Sequence, residues 1–329
     1  LRVIFSIVIA TGLLAPSPAS AAPNLIEIQA RVQDLETQAT TAAEGAQEAK
    51  VQLARLRKTL DSVQQQASQQ GASVAELNKS IGAIAAEQYK SGPLSKSLEL
   101  LFSSNPAQYL STAGSLEAVT RQKTIDLKKF SVATQRLNAT SLTLSDKLAL
   151  VKAAEARFKK QQDIANAKLA EAEALLKKLT AAERERLAKL NEDEENADQQ
   201  RSLADAGKYS GLSGRGGAAI KYALEQIGDK YVFGADGMTT WDCSGLTMRA
   251  FRTAGVSLPH SSRAQYGYGK AIAKKDLQPG DLVFFGKPIS HVAIYLGPDR
   301  MLHAPRKGSQ VKIANMNMGK KPYIGARRL

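Results

Sequence analysis

From Ile28 to Ile84 the apolar residues return alternately after four and three positions, beginning Ile28, Val32, Leu35, Ala39 and Ala42 and ending Leu77, Ile81 and Ile84. Sixteen of these 17 positions are apolar, Gln70 being the exception, so the period of 3.5 persists over eight heptads. Such a stripe can be covered only by another helix lying along it, which makes this segment a coiled-coil strand and not part of a compact core. At 1.5 Å per residue it would be roughly 90 Å long. The many alanines on the stripe predict close approach of the partner helix, and Gln70 beside Gly71 marks a weak point.

The pattern breaks over residues 89–115, where Gly92-Pro93 and Asn105-Pro106 interrupt two short amphipathic pieces. Helical spacing then resumes at Leu116, Val119 and Leu137, continues to Leu176 and Leu179, and runs into the charged stretch from Glu183 to Arg201. The simplest arrangement is an antiparallel hairpin with its tip at 93–111; helices paired between two chains are the other. Leu98, Leu100, Leu101, Phe102, Tyr109 and Leu110 crowd the tip. Apolar surface there calls for a partner or a small lobe that covers itself.

The opening stretch has an early Arg2, an apolar run from Val3 to Leu14 and a small-residue ending at Ala19-Ser20-Ala21. That is the pattern of a secretory signal peptide over 1–21, a retained anchor being the other reading. The expectation is a secreted, extracytoplasmic protein of a bacterium with no transmembrane helix after processing. The arm then occupies 22–205, a Gly/Ser-rich flexible linker 206–217, and a small domain 218–329. Charge separates these regions: from Gly207 onward 19 Lys and Arg face 7 Asp and Glu, whereas the rest has 26 against 24. For an exported domain, a basic surface points to anionic cell-wall polymers or membrane surfaces before nucleic acid.

In the domain, helices are predicted over 217–228 and 243–255, followed by strands over 281–286, 291–297, 300–304, 310–316 and the terminal residues from Tyr323. Pro279-Gly280 and Gly297-Pro298-Asp299 supply turns. Helices first and strands after indicate an α+β domain with an antiparallel sheet or half-barrel.

The chain has one cysteine, Cys243, which cannot form an internal disulfide. Asp242 is a good N-cap, so Cys243 opens a helix, where free N–H groups and the helix dipole favour a thiolate. Three histidines are candidates for its base: His260, His291 and His303. A hairpin at 297–299 would make His291 and His303 cross-strand neighbours, one acting as base and the second orienting it. No candidate pair has short metal-ligand spacing, so no metal or other cofactor is expected.

The stretches "YVFGADGMTTWDCSGL", "LQPGDLVFF", "SHVAIYLG" and "MLHAP" resemble, in order and spacing, the NlpC-type cell-wall cysteine peptidases over about 217–329. The resemblance implies a papain-like α+β fold and cleavage of peptidoglycan stem peptides, commonly between γ-D-glutamate and diaminopimelate. It further implies Cys243 as nucleophile, His291 as base and His303 as orienting residue. Tyr231 falls near the oxyanion site, and Asp242, Ser244, Ser261 and Ser262 fall along the substrate groove. Relatives needing a free N-terminal L-Ala often carry an Asp near Ser261; its absence favours an endopeptidase. His260 stands where Arg is common and reads as a groove-edge residue.

The arm is similar, more loosely, to those of division-associated wall hydrolases and their activators, and arm plus domain together to actinobacterial Rip-type endopeptidases. That implies a partner at the tip, an FtsE-FtsX-like membrane complex, and a role in wall remodelling or daughter-cell separation. Either the arm or the linker near Tyr209 is expected to cover the groove until the partner moves it. A non-catalytic wall-binding activator of other hydrolases is the alternative.

Overall fold

The computed structural model describes residues 25–91 and 106–329. The expected leader at 1–21, and residues 93–105 of the tip, lie outside the described residues. Helix α1 (Leu25–Ser91) and helix α2 (Pro106–Lys177) form an intramolecular antiparallel hairpin. Cross-pairs Arg31–Glu171 and Arg57–Glu155 run in opposite senses along the two helices. All 17 positions of the predicted stripe are buried or half-buried. Val32 and Leu35 pack on Ala172, Leu175 and Leu176, and Ala42 and Ala43 meet Ala165.

The second helix does not run unbroken into the charged stretch. It stops at Lys177, and Thr180 starts helix α3 (Ala181–Ala206) with a capping box: its hydroxyl accepts from Glu183 N–H, and the Glu183 carboxylate accepts from Thr180 N–H at 2.8 Å. The charged run is therefore an adapter between arm and domain. Glu195 and Asp198 pair with Lys312, Asp205 pairs with Arg300, and Ser202 Oγ accepts from Ile313 N–H at 2.9 Å. The segment expected as a flexible linker, 206–217, is mostly helical. Gly207–Tyr209 form a 3-10 turn and helix α4 (Gly214–Leu224) already includes the buried Gly217.

After α4 come β1 (Lys230–Tyr231), β2 (Thr240–Trp241), α5 (Cys243–Thr253), α6 (Ser262–Gln265) and β3 (Lys270–Ile272). Strands β4 (Leu282–Phe285), β5 (His291–Gly297), β6 (Arg300–His303), β7 (Lys312–Asn315) and β8 (Tyr323–Arg328) complete the domain. Six strands form one sheet in the order β3-β8-β4-β5-β6-β7, every neighbour antiparallel. Alternation along β4 and β5 sends Leu282, Phe284, Val292 and Ile294 into a core with α4 and α5, and Val283, Phe285, Ala293 and Tyr295 into a second core on the opposite face. The expected α+β layout with helices on an antiparallel sheet is the one found. Short β1, β2, β3 and α6 were not foreseen, because elements of two to four residues carry too little periodicity to be read.

Candidate active site

Asp242 leaves the extended backbone to cap α5, its Oδ1 accepting from Gly245 N–H at 2.6 Å and from Ser244 Oγ at 3.0 Å. Gly245 admits no side chain, since a Cβ would lie 2.2 Å from the Ala235 carbonyl oxygen. That close approach brings the 234–236 loop onto the helix start, where Asp242 Oδ2 accepts from Gly234 N–H at 2.9 Å and pairs with His260 Nε2 at 2.8 Å. Cys243 is thus fixed as the first residue of α5, as its sequence context predicted.

The two histidines converge across the β5–β6 hairpin. His291 Nε2 lies 2.8 Å from His303 Nδ1, and both rings are buried. His291 Nδ1 is buried without a hydrogen-bond partner, which leaves it open as an acceptor. His303 Nε2 is likewise buried without a partner, and the short contact between the rings holds one proton between His291 Nε2 and His303 Nδ1. Strand β5 packs on α5, and the Val292 backbone N–H favours the ionised form of the Cys243 thiol.

What else meets there comes from the arm. Glu44, on the face of α1 away from the coiled-coil stripe, enters the site and is almost fully buried. Its Oε1 accepts from Cys243 Sγ at 3.3 Å and from Ser244 Oγ at 3.0 Å. Its Oε2 accepts from Ser262 N–H at 3.0 Å and Ser262 Oγ at 2.7 Å. Around it Glu48 pairs with Arg263 and with Arg157 of α2, Glu36 with Arg306, and Asp34 with Lys320. The site is closed by the chain's own helix.

Closure changes the protonation chemistry. Burial, reinforced by the Glu44 and Asp242 carboxylates, pushes the thiol well above its ordinary value. The expected thiolate-favouring effect of the helix start is overridden while the arm is in place. Burial also raises the Glu44 pKa, with Asp242 adding to it. Burial holds His291 well below the usual imidazole range and brings His303 down to about 3. In this state thiol and imidazoles are neutral, and the thiol hydrogen is turned toward Glu44. At His260 burial opposes the charged form, but the bond to Asp242 and the charge of Glu44 prevail and raise its pKa.

The remaining predicted residues divide. Ser244 and Ser262 line the site and hold the arm carboxylate. Tyr231 is buried next to it, with Thr40 of the arm close by and no hydrogen bond of good geometry to its hydroxyl. Ser261 instead caps α6, its Oγ accepting from Ala264 N–H at 3.3 Å, so it shapes the groove without facing it. Sequence reading missed Glu44. The available signal was the run "TTAAEGA" at 40–46, a carboxylate amid small residues that permit close packing, but a glutamate off the stripe ordinarily means a solvated face.

Comparison with known proteins gives the family. Residues 228–328 match the NlpC/P60 family. The chain is 41% identical over 118 residues to the probable endopeptidase Rv2190c of Mycobacterium tuberculosis, covering 36% of this chain and 30% of that one. It is 45% identical over 100 residues to the probable endopeptidase p60 of Listeria monocytogenes, covering 30% and 20%. Among solved structures, the NlpC/p60 domain of the peptidoglycan hydrolase SagA is 31% identical, with 35% of this chain and 98% of that chain covered and a TM-score of 0.32. The matched segment spans less than a third of the length of these two curated relatives. The resemblance seen in the separated motifs around Cys243, His291 and His303 thus falls within a segment, residues 228–328, that matches the NlpC/P60 family as a C-terminal domain.

Proposed function

We propose that this protein is an exported cysteine endopeptidase that hydrolyses peptidoglycan stem peptides, at the bond between γ-D-glutamate and diaminopimelate, and that its arm holds it inactive. The observation that carries the reading is a thiol at a helix start beside a two-histidine relay whose outer nitrogen, His291 Nδ1, is free to accept a proton.

With Glu44 withdrawn, water and substrate enter and the thiol loses one of the two carboxylates that oppose its ionisation. His291 Nδ1 takes the Cys243 proton, and His303 supports the imidazolium through Nε2–H. The thiolate attacks the peptide carbonyl, and N–H groups at the α5 start with the Tyr231 hydroxyl stabilise the oxyanion. His291 returns the proton to the departing amine, leaving a thioester. Water, deprotonated by His291, then releases the acid product and restores the thiol.

No helix among the described residues is long and apolar enough to cross a membrane. Release of the arm by a membrane-bound FtsE-FtsX-like complex at the hairpin tip, during wall remodelling or cell separation, completes the proposal. The test incubates the Glu44→Ala chain, with and without Cys243→Ala, with purified peptidoglycan and identifies fragments by mass spectrometry. Fragments with new diaminopimelate amino termini are expected only with the thiol present, their rate falling by at least about 10⁴-fold without it. Identical fragment profiles would leave the non-catalytic activator as the better reading.

A further inference from the structure

Withdrawal of Glu44 leaves one carboxylate beside the thiol, that of Asp242, and the mechanism above gives its partner His260 no part. Asp242 is wholly buried at the start of α5, and four donors meet its carboxylate. Three of them, Gly234 N–H, Gly245 N–H and Ser244 Oγ, are neutral. The fourth is His260 Nε2 at 2.8 Å, the one group on Asp242 among the described residues that can carry a positive charge. A buried carboxylate left without a cation is costly, so this contact is where the anion is balanced.

The same contact joins the two walls of the groove. His260 lies between α5 and α6, two residues before Ser262, which opens α6. Gln265 of α6 donates through Nε2 to Pro259 O and to Ser244 O, both at 2.9 Å, and accepts through Oε1 from Thr247 Oγ1 at 2.7 Å. Gln265 and His260 therefore fasten the wall that carries Ser262 to the wall that carries Cys243 and Ser244. Of these two ties only His260 titrates.

The charged groups around His260 come from three elements. Asp242 caps α5, and Glu44 of α1 shares Ser244 Oγ with it. Asp236 belongs to the loop held on the α5 start by the bond from Asp242 N–H to Ala235 O at 2.9 Å, and is itself paired with Arg249. Burial disfavours the imidazolium, yet the bond to Asp242 and the neighbouring carboxylates outweigh it, so the His260 pKa is raised. When the arm leaves, Glu44 goes and Asp242 stays. A bare carboxylate next to the thiol opposes the thiolate, whereas an imidazolium in contact with that carboxylate cancels the opposition.

Resting on the hydrolase reading, we propose that His260 is a positioning residue that acts through Asp242: as imidazolium it neutralises the cap carboxylate and lets the Cys243 thiolate form beside it. The open enzyme then depends on the protonation of a third histidine, outside the His291–His303 relay. That contribution is present while His260 is charged and is lost as pH rises through its titration.

Three forms of the full chain, all carrying Glu44→Ala, test this. One retains His260, one carries His260→Gln, a donor without charge, and one carries His260→Arg, charged at every pH. Two rates are followed across the imidazole range: cleavage of a soluble stem peptide containing the γ-D-glutamyl-diaminopimelate bond, and alkylation of Cys243 by iodoacetamide. Dividing each rate by that of the His260→Arg chain removes the ionisations of Cys243 and His291, which all three forms share. The ratio for the form with His260 should fall by about tenfold or more as pH rises, and the ratio for His260→Gln should stay low throughout. A ratio independent of pH overturns the assignment, because a purely structural bond does not titrate. Absence of cleavage in every form, with the alkylation ratio still falling, removes the hydrolase reading alone. If the His260→Arg chain fails to fold, imidazole proton resonances decide, since the chain has three histidines and the signal lost in His260→Gln is that of His260. A titration above the ordinary value near about 6.5, brought down by Asp242→Asn, is expected; one at or below that value overturns the assignment.

Discussion

Helix α1 lies in two environments. Over 53–84 it is an ordinary coiled-coil strand, half-buried at each stripe position and exposed almost everywhere else. Over 39–49 nearly every residue is buried, including Thr40, Glu44, Gln47 and Glu48, which lie off the stripe. The heptad pattern is the same in both halves. The difference is a second contact, laid on the helix face that a coiled coil leaves to water, so that one helix packs along its partner over its length and against the domain at one end.

The largest expected effect separates the two halves by charge. Glu44→Arg places a cation where Ser244 and Ser262 now hold the carboxylate, and should raise alkylation of Cys243 by iodoacetamide on the order of 100-fold through loss of docking. Glu76→Arg, in the distal half, should leave the rate as it is. Equal rates in wild type and Glu44→Arg would show that the arm does not guard the thiol.

Next in size is packing. Leu35 is fully buried, whereas Leu60 sits on a half-exposed part of the stripe. Leu35→Ala should cost about 2–4 kcal/mol of arm stability and Leu60→Ala about half as much, read from denaturant unfolding followed by circular dichroism. Similar costs would mean that the distal seam is as well covered as the proximal one.

The smallest effect is pH-dependent. Glu44 and Glu36 both have pKa values raised in the docked arm, burial being the chief cause, so docking takes up protons. These two carboxylates therefore favour docking as pH falls through their docked values toward the ordinary carboxylate range near about 4.3, whereas His291 and His303, held below the imidazole range in the closed site, oppose it from the imidazole range downward. Asp34 opposes this, since its bond to Lys320 lowers its pKa, but it acts only below that range. Hydrogen exchange of backbone 39–49, normalised to 53–84 of the same helix, should at the acidic end become slower in wild type relative to Glu44→Gln, by up to about tenfold per pH unit. A pH dependence unchanged by Glu44→Gln would assign the titration elsewhere.

Much of this was legible beforehand. The stripe was readable because 17 positions repeat one pattern. Cys243 was placed by its capping aspartate, and His291 with His303 by a turn that dictates a hairpin. Ser261 was misread as a groove contact because neighbouring serines look alike until α6 decides which one caps and which one points inward. The end of α2 at Lys177 was missed because the capping box at Thr180 lies within residues that all favour helix.

Local rules determined the helices, the cap that presents the thiol and the strand alternation that buries both faces of the sheet, because each depends on residues a few positions apart. That Glu44 meets Cys243 across 199 residues of chain was decided only by the tertiary structure. A buried carboxylate has no signature in the sequence: burial is a property of what surrounds a residue, and distant segments supply those surroundings only once the chain has folded.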